Sequence, residues 1–355
     1  MQIKLILIQA LIIFNNINNI TVDVSEINQL KLSELSRNIK MIPLETNAQT
    51  GIFNVSKIAV SDKYVYVLAG DELSKGFPIR LLMYDWNGHF IKQIGLKDNT
   101  TNKYIPVTDL VSDENAEILY LKVKNGWQLF RSDGNYIKDI KIADETYFSC
   151  YFSNKLWTII CSADKGKEIY KFVSVSMDGS ISGPVFTLED KLAEYLVSTG
   201  VTIYSHPAFS VHNNTLNVSF IVDHSLYVYN GQTLKKEYEF TLKNCEPAAT
   251  DKYLGTGIYF LGDYLIFGYI VKGATYQYIT NTNTNRSYNI KYSYNNNQRV
   301  LLGGINDDIY LTGYFKIMPT NRNNNFYFTK KPDEVNTISN EQKNSYNDVL
   351  FMVEL

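Results

Sequence analysis

Four histidines, His89, His206, His212 and His224, are the side chains best suited to proton transfer or metal ligation near neutral pH. No two of them show the H-E-x-x-H spacing that sets a pair of imidazoles over a zinc ion. His89 and His224 lie beside predicted turns, where a solvated loop imidazole is the ordinary outcome. His206 differs, because Ser205-His206-Pro207 runs straight into a strand-like segment, a position from which an imidazole could act as ligand or general base. Asp62, Asp109, Asp113 and Asp263 stand near similar segments; they would hold calcium or another divalent ion only by converging from several elements, and each equally suits capping a turn. No G-x-S-x-G elbow, phosphate loop or dinucleotide fingerprint is present, and Gly255-Thr256-Gly257 lacks the third glycine. Trp86, Trp127, Tyr204, Tyr276 and Tyr278 fall on or near turns, where rings could stack on sugars or clamp a peptide, or else pack inside. The binding set that emerges is His206, Tyr204, Trp86, Trp127 and Asp109, with no catalytic set and no metal site assigned.

The elements that must position these residues are β-strands. Aromatic residues make up 14% of the 355, with 27 Tyr and 18 Phe, and such rings favour half-buried pleated surfaces. Hydrophobic residues at 45% and charged residues at 20% suit a globular chain with a large core. A net charge of −2 offers no long-range field for phosphate backbones, so nucleic acid is not an expected partner. Cys150, Cys161 and Cys245 lack C-x-x-C spacing; Cys150 and Cys161 fall on adjacent predicted strands and would bridge only if register set them opposite.

Lys4 and the apolar run from Leu5 to Phe14 read as a secretory signal within residues 1–20, or alternatively a short interfacial helix; the run is too short for an ordinary membrane span. No small-x-small cleavage site and no lipoprotein cysteine follow it. No later segment has the length of a span, so no membrane span is expected in the mature chain, which is read as an exported monomer of the periplasm or cell surface.

Periodicity decides the fold class. Turns of the type Asp85-Trp86-Asn87-Gly88, Ser132-Asp133-Gly134, Met177-Asp178-Gly179 and Tyr229-Asn230-Gly231 each separate two strand-like runs, with glycines 46, 45 and 52 residues apart. Asn-Gly and Asp-Gly reach positive φ cheaply, as tight hairpins need, and the period is that of a propeller blade. Four units of four strands follow, a fifth places Asn281 to Asn285 at the turn that lacks glycine, and a sixth begins at Val300 to Ile305 and Asp308 to Phe315. That sixth unit then meets an Asn-rich loop from Thr320 to Asn347 before Val349 to Val353, and is one strand short. Ile39 to Leu44 supplies the missing strand, and Pro43 is tolerable there because the strand would lie at an edge. The expectation is an all-β six-bladed β-propeller over residues 39–355, closed by pairing its two ends, since closure removes exposed edges. A helix from Glu189 to Ser198 is expected over one end of the ring.

Ile42-Pro43-Leu44-Glu45-Thr46-Asn47, Tyr84-Asp85-Trp86-Asn87-Gly88-His89-Phe90-Ile91 and Asn347-Asp348-Val349-Leu350 resemble a family of exported six-bladed propellers abundant in Bacteroidota, mostly of unknown function and NHL-like in architecture. The likeness covers residues 39 to 355 and implies fold rather than chemistry. The chain departs from it in the absent lipoprotein cysteine and in Lys97-Asp98-Asn99-Thr100-Thr101, where a Gly-rich loop is common. Together these readings point to a non-enzymatic binding or scaffold propeller that holds a glycan, peptide or envelope protein at one end of its channel. The alternative is a metal-dependent hydrolase or lyase acting at the channel mouth through His206 and channel acids.

Overall fold

The structure is a computed structural model. It describes residues 17–36, 38–46, 50–52, 54–70, 79–142, 145–164, 167–189, 209–220, 224–245, 254–295, 300–337 and 346–355. The chain opens with β1 (Asn18–Asp23), the single-turn helix α1 (Leu32–Leu35) and β2 (Asn38–Glu45). Blade I is β3 (Asn54–Val60), β4 (Tyr64–Gly70), β5 (Arg80–Asp85) and β6 (Phe90–Ile94). Blade II is β7 (Asp109–Ser112), β8 (Ile118–Val123), β9 (Gly126–Arg131) and β10 (Tyr136–Lys141). Blade III is β11 (Glu145–Phe152), β12 (Lys155–Asp164), β13 (Lys167–Val175) and β14 (Ile181–Glu189). Blade IV is β15 (Phe209–His212), β16 (Thr215–Phe220), β17 (Ser225–Tyr229) and β18 (Leu234–Lys243). Blade V is β19 (Leu254–Leu261), β20 (Tyr264–Val271), β21 (Ala274–Asn281) and β22 (Ser287–Asn295), extended by β23 (Val300–Gly303). A hairpin of β24 (Ile305–Asp307) and β25 (Gly313–Phe315) leads into blade VI, made of β26 (Met318–Pro319), β27 (Asn325–Lys330), β28 (Tyr346–Glu354) and β2. The first strands of successive blades from I to V touch one another around the axis. The molecule is an all-β six-bladed propeller.

The turns that carry the repeat work through their acidic or amide side chains as well as their glycines. Asp85 Oδ1 accepts from the N–H of Asn87, Asp178 Oδ1 from Ser180, Asn230 Oδ1 from Gln232 and Asn281 Oδ1 from Asn283, each a local turn that fixes the third-to-fourth strand hairpin. In blade V, Asn285 takes φ 56° where the other blades use glycine. Gly88 is required twice over: its φ is 87°, and a Cβ there would collide with the carbonyl oxygen of Pro43 on the closing strand.

Closure occurs as expected. β2 pairs antiparallel with β28, Ile42 opposite Leu350 and Pro43 opposite Val349, with a register shift after Pro43 on the outer edge. Each interface between blades holds one apolar cluster. Ile42, Leu44, Val60, Val67, Tyr84 and Leu350 fill the space between VI and I. The V–VI cluster includes Phe315, Phe328 and Phe351, stacked with centroids 4.2 and 4.7 Å apart. Burying each such ring contributes roughly 1.5–3 kcal/mol, so the six interfaces, rather than any local propensity, hold the ring.

Four features differ from the sequence reading or extend it. The sixth blade takes β27 from inside the stretch expected to be a polar loop, because Phe326-Tyr327-Phe328 buries its rings despite Asn-rich flanks. Val300–Gly303 consequently belongs to blade V as its fifth strand. Residues 18–20, which end the segment read as a signal or short helix, and residues 21–36, to which the sequence assigned nothing, form an arm: β1 lies parallel on β18, Val22 and Val24 enter the IV–V cluster, and Leu30, Leu32 and Leu35 enter the V–VI cluster. The arm is tied by Asn28, whose side chain accepts from Asn289 N–H at 2.8 Å while its own N–H donates to Asn289 O at 2.9 Å. Finally, register sets Cys150 opposite Trp157 and Cys161 opposite Glu145, so these two cysteines do not face each other. Of the helix expected at 189–198, Glu189 ends β14 and the remainder lies outside the described residues.

Candidate functional site

Innermost strands have one edge without a strand partner, and those edges line the channel of a propeller. How their N–H and C=O groups are satisfied decides which parts of the channel are available to a ligand. At one end the answer is a plug. The turn between β26 and β27, Thr320 to Asn324, folds across the ring and touches the corresponding first turns of blades I, II, IV and V. Asn321 Oδ1 accepts from Val60 N–H at 2.8 Å while its Nδ2 donates to Val60 O at 3.0 Å, so one carboxamide mimics a strand residue on the edge of β3. The same Nδ2 reaches Asp113 O at 2.9 Å and Glu114 O at 2.8 Å. Arg322 pairs with Asp62 at 2.7 Å, and the N–H of Gly262 donates to Asn323 O at 2.6 Å. Asn323 also approaches His212 Nδ1 at 3.5 Å. His212 stacks on Phe260 with centroids 4.2 Å apart, and burial holds its pKa below the ordinary value, opposed by the charge of Asp263. Asp113 is shifted the other way, upward, by burial against the N–H groups that its carboxylate accepts from.

Between the ends, hydroxyls do the same work. Ser210 Oγ accepts from Phe260 N–H at 3.1 Å and the buried Ser219 Oγ from Ile258 N–H at 3.0 Å, so blade IV caps the inner edge of β19.

At the other end the inner strands carry charge. Lys57 of β3 reaches Asp109 at the start of β7, 3.0 Å away, with side chains 41% and 24% exposed although both lie on innermost strands. That exposure means solvent reaches the channel wall there. Lys122, opposite Asp109 across the β7–β8 ladder, donates to Thr146 O of blade III. Ser149 donates to Thr158 at 2.8 Å, and burial pushes the Cys150 thiol well up, against the pull of Lys57. The arrangement offers an ion pair, hydroxyls and ammonium groups, which can orient a polar ligand. Among the described residues no three His, Cys, Asp or Glu side chains gather as a metal site would require.

The expected binding residues are not brought together. Asp109 lies at the charged end. Trp86 sits on the third-to-fourth strand turn of blade I, at the plugged end; its Nε1 donates to Ser61 O at 3.1 Å, and Lys40 lies 5.0 Å over its ring. Trp127 is 1% exposed within the II–III cluster, where it packs with Val111, Leu129 and Leu156. Tyr204 and His206 lie outside the described residues, on the segment joining β14 to β15. Tyr276 stacks on Tyr269 between blades IV and V, and Tyr278 packs on the same cluster. Asp62, Asp113 and Asp263 belong to first-turn segments of the plugged end. Sequence reasoning missed Asn321, since nothing local marks a side chain whose partner lies 261 positions away.

The sequence profile of a family described as Domain of unknown function (DUF4934) matches residues 15–352. No curated protein matches the sequence. Among solved structures, the chain is similar to a Bacteroides fragilis protein inferred to be exported, at 15% identity and a TM-score of 0.65, covering 95% of this chain and 99% of that one. It also matches the extracellular domain of a hybrid two-component system from B. thetaiotaomicron, at 11% identity and a TM-score of 0.47, over 88% of this chain and 39% of that one. The likeness to the B. fragilis protein concerns the fold.

Proposed function

This chain belongs to the DUF4934 family, and on that premise we propose that it is a non-enzymatic binding or scaffold propeller working outside the cytoplasm. A glycan, peptide or partner protein would be held at the channel end that carries Lys57 and Asp109. The observation that carries this reading is the plug: with the β26–β27 turn bonded to four blades, the described inner strands leave charged groups to solvent at the opposite end, where the wall is polar. Export is supported by the Lys4-led apolar run and by the inferred export of the B. fragilis relative. Among the described residues no helix is long and apolar enough to cross a membrane.

Binding of the purified protein to arrays of oligosaccharides and extended peptides tests the reading, with Asp109→Asn and Lys57→Met as site variants. Ligands retained by the wild type and lost by both variants are the expected result. Uniform failure to retain any sugar, peptide or envelope protein would remove the proposal. Fractionation of cells making a C-terminally tagged chain tests the location, the tag being expected outside the cytoplasm.

A further inference from the structure

The outermost strand of a blade presents a row of N–H and C=O groups to its surroundings, and natural sheets blunt such edges with charge or proline. Among the described residues the outermost strands of the six blades are β6, β10, β14, β1, β23 and β2. Five of them carry such a residue: Lys92 in β6, Lys138 in β10, Pro184 in β14, Asp23 in β1 and Pro43 in β2. β23, Val300-Leu301-Leu302-Gly303, carries none. Leu301 pairs with Tyr294 and Gly303 with Ser293, so Leu302 falls between ladder pairs, and it is 60% exposed.

The β24–β25 hairpin adds to the same rim, with β25 lying beside β23. Its turn alternates. Ile309 and Leu311 are exposed, Leu311 by 70%, while Tyr310 between them packs on Phe351 with centroids 5.1 Å apart. Leu311 takes φ 58°, in the left-handed region that is costly for a residue with a Cβ. The buried carboxylate of Asp307 enforces it, accepting from the N–H of Ile309 at 3.2 Å, of Tyr310 at 2.9 Å and of Thr312 at 3.2 Å. Asp308 is held as well, since the N–H and Oγ of Ser33 donate to its carboxylate at 3.0 and 2.6 Å. Single exposed leucines need no explanation. Three exposed aliphatic side chains on two adjoining elements, one of them strained into place, mark an interaction surface.

Charge selects the occupant. Asp307 and Asp308 are the charged residues of β23 and the hairpin, one buried and the other engaged by Ser33. A copy of the same patch therefore meets it across a two-fold axis without like charges opposed, and β23 can pair antiparallel with itself, as an edge bearing a lysine could not without repulsion. We propose that this rim of blade V is an interface between two copies of the chain, with Leu302 and Leu311 buried at its centre, in place of the monomer expected from the sequence. The interface lies on the outer strand of blade V, whereas Lys57 and Asp109 stand on inner strands of blades I and II, so it does not rest on the binding reading.

Sedimentation equilibrium of the purified chain tests this. The wild type is expected to dimerise with a Kd of about 1–100 µM. Leu311→Gly and Leu302→Lys should each weaken association by about tenfold or more, the ordinary effect of removing a central apolar anchor. Both are expected to melt within about 2 °C of the wild type under monomeric conditions, because the side chains removed are mostly in solvent. A two-fold axis through β23 sets residue 302 near its own copy, so mixing the Leu302→Lys and Leu302→Glu variants should restore the dimer. A wild type that stays monomeric at about 200 µM would overturn the inference. So would association that both substitutions leave unchanged, a mixture that stays monomeric, or melting temperatures about 5 °C or more lower in both variants, which would place the leucines in the core. Retention of the monomer on phosphatidylglycerol vesicles would also overturn it, by giving the leucines to a lipid surface.

Discussion

The two ends of the channel solve the same problem in opposite ways. At the plugged end, groups left over by the innermost strands meet partners from other blades: Asn321 completes the edge of β3, and Asn323 meets Gly262. At the other end the inner strands present an ion pair partly open to solvent. At the plugged end complementarity is satisfied within the chain, whereas at the charged end polar groups are left to water. The contrast separates the ends even though both are built from the same repeat.

The comparison breaks most readily at Asn321. Asn321→Ala leaves both groups of Val60 and the carbonyls of Asp113 and Glu114 without their partner, and is expected to cost about 2–4 kcal/mol in urea unfolding. Asn321→Asp should cost at least as much, because a carboxylate would face three carbonyl oxygens. A loss under about 0.5 kcal/mol would show that the plug is ornamental and the channel open at both ends. Ser219→Ala orphans the buried N–H of Ile258 and should cost about 1–2 kcal/mol, measured the same way.

A smaller effect belongs to His212. Its folded pKa lies below the unfolded value near 6.5, so the unfolded chain takes up the proton first. The stability this contributes is fully present above about pH 6.5 and is lost as pH falls towards the folded value. Phe260, Asn213, Asn323 and Asp263 are the groups that face or influence the ring. His212→Gln should flatten the slope of melting temperature between pH 7.5 and 5.5; an unchanged slope would assign it elsewhere.

The smallest effect is expected at the charged end. Asp109→Asn should alter stability by no more than about 0.5 kcal/mol, since a half-exposed ion pair contributes little. Arg322→Ala should behave likewise, because Asp62 is 90% exposed. A large loss in Asp109→Asn would make that pair structural and erase the difference between the ends.

Much of the fold was legible because local chemistry repeats. Asp85, Asp178 and Asn230 mark their turns with side chains that bond two residues on, and Ile39 to Leu44 looked like an outer strand without a blade. Elements defined only by distant partners were not legible. Asn18–Asp23 pairs parallel with a strand more than 200 residues later, and its Asn-rich sequence carries no strand pattern of its own. Phe326-Tyr327-Phe328 was hidden by the asparagines around it, and with it the true composition of blade VI. Of the candidate residues, Asp109 stands on an inner strand at the charged end, whereas Trp127 packs between blades, the ordinary outcome for an aromatic beside a turn.

The arm that precedes the ring bears on how the chain acquires its shape. Asn18 to Glu45 contains the first strands to be synthesised, yet their partners, Tyr238 to Lys243 and Tyr346 to Glu354, come among the later ones. High contact order of this kind slows folding, since a long loop must close before the pairing rewards it. Middle blades can form their hairpins as they emerge, but the arm has nothing to dock on until blade IV exists, and β2 waits for the final strand. Until β2 pairs with β28 the ring stays open with both of those strand edges unpaired, and the time spent in that state sets its exposure to aggregation and proteolysis.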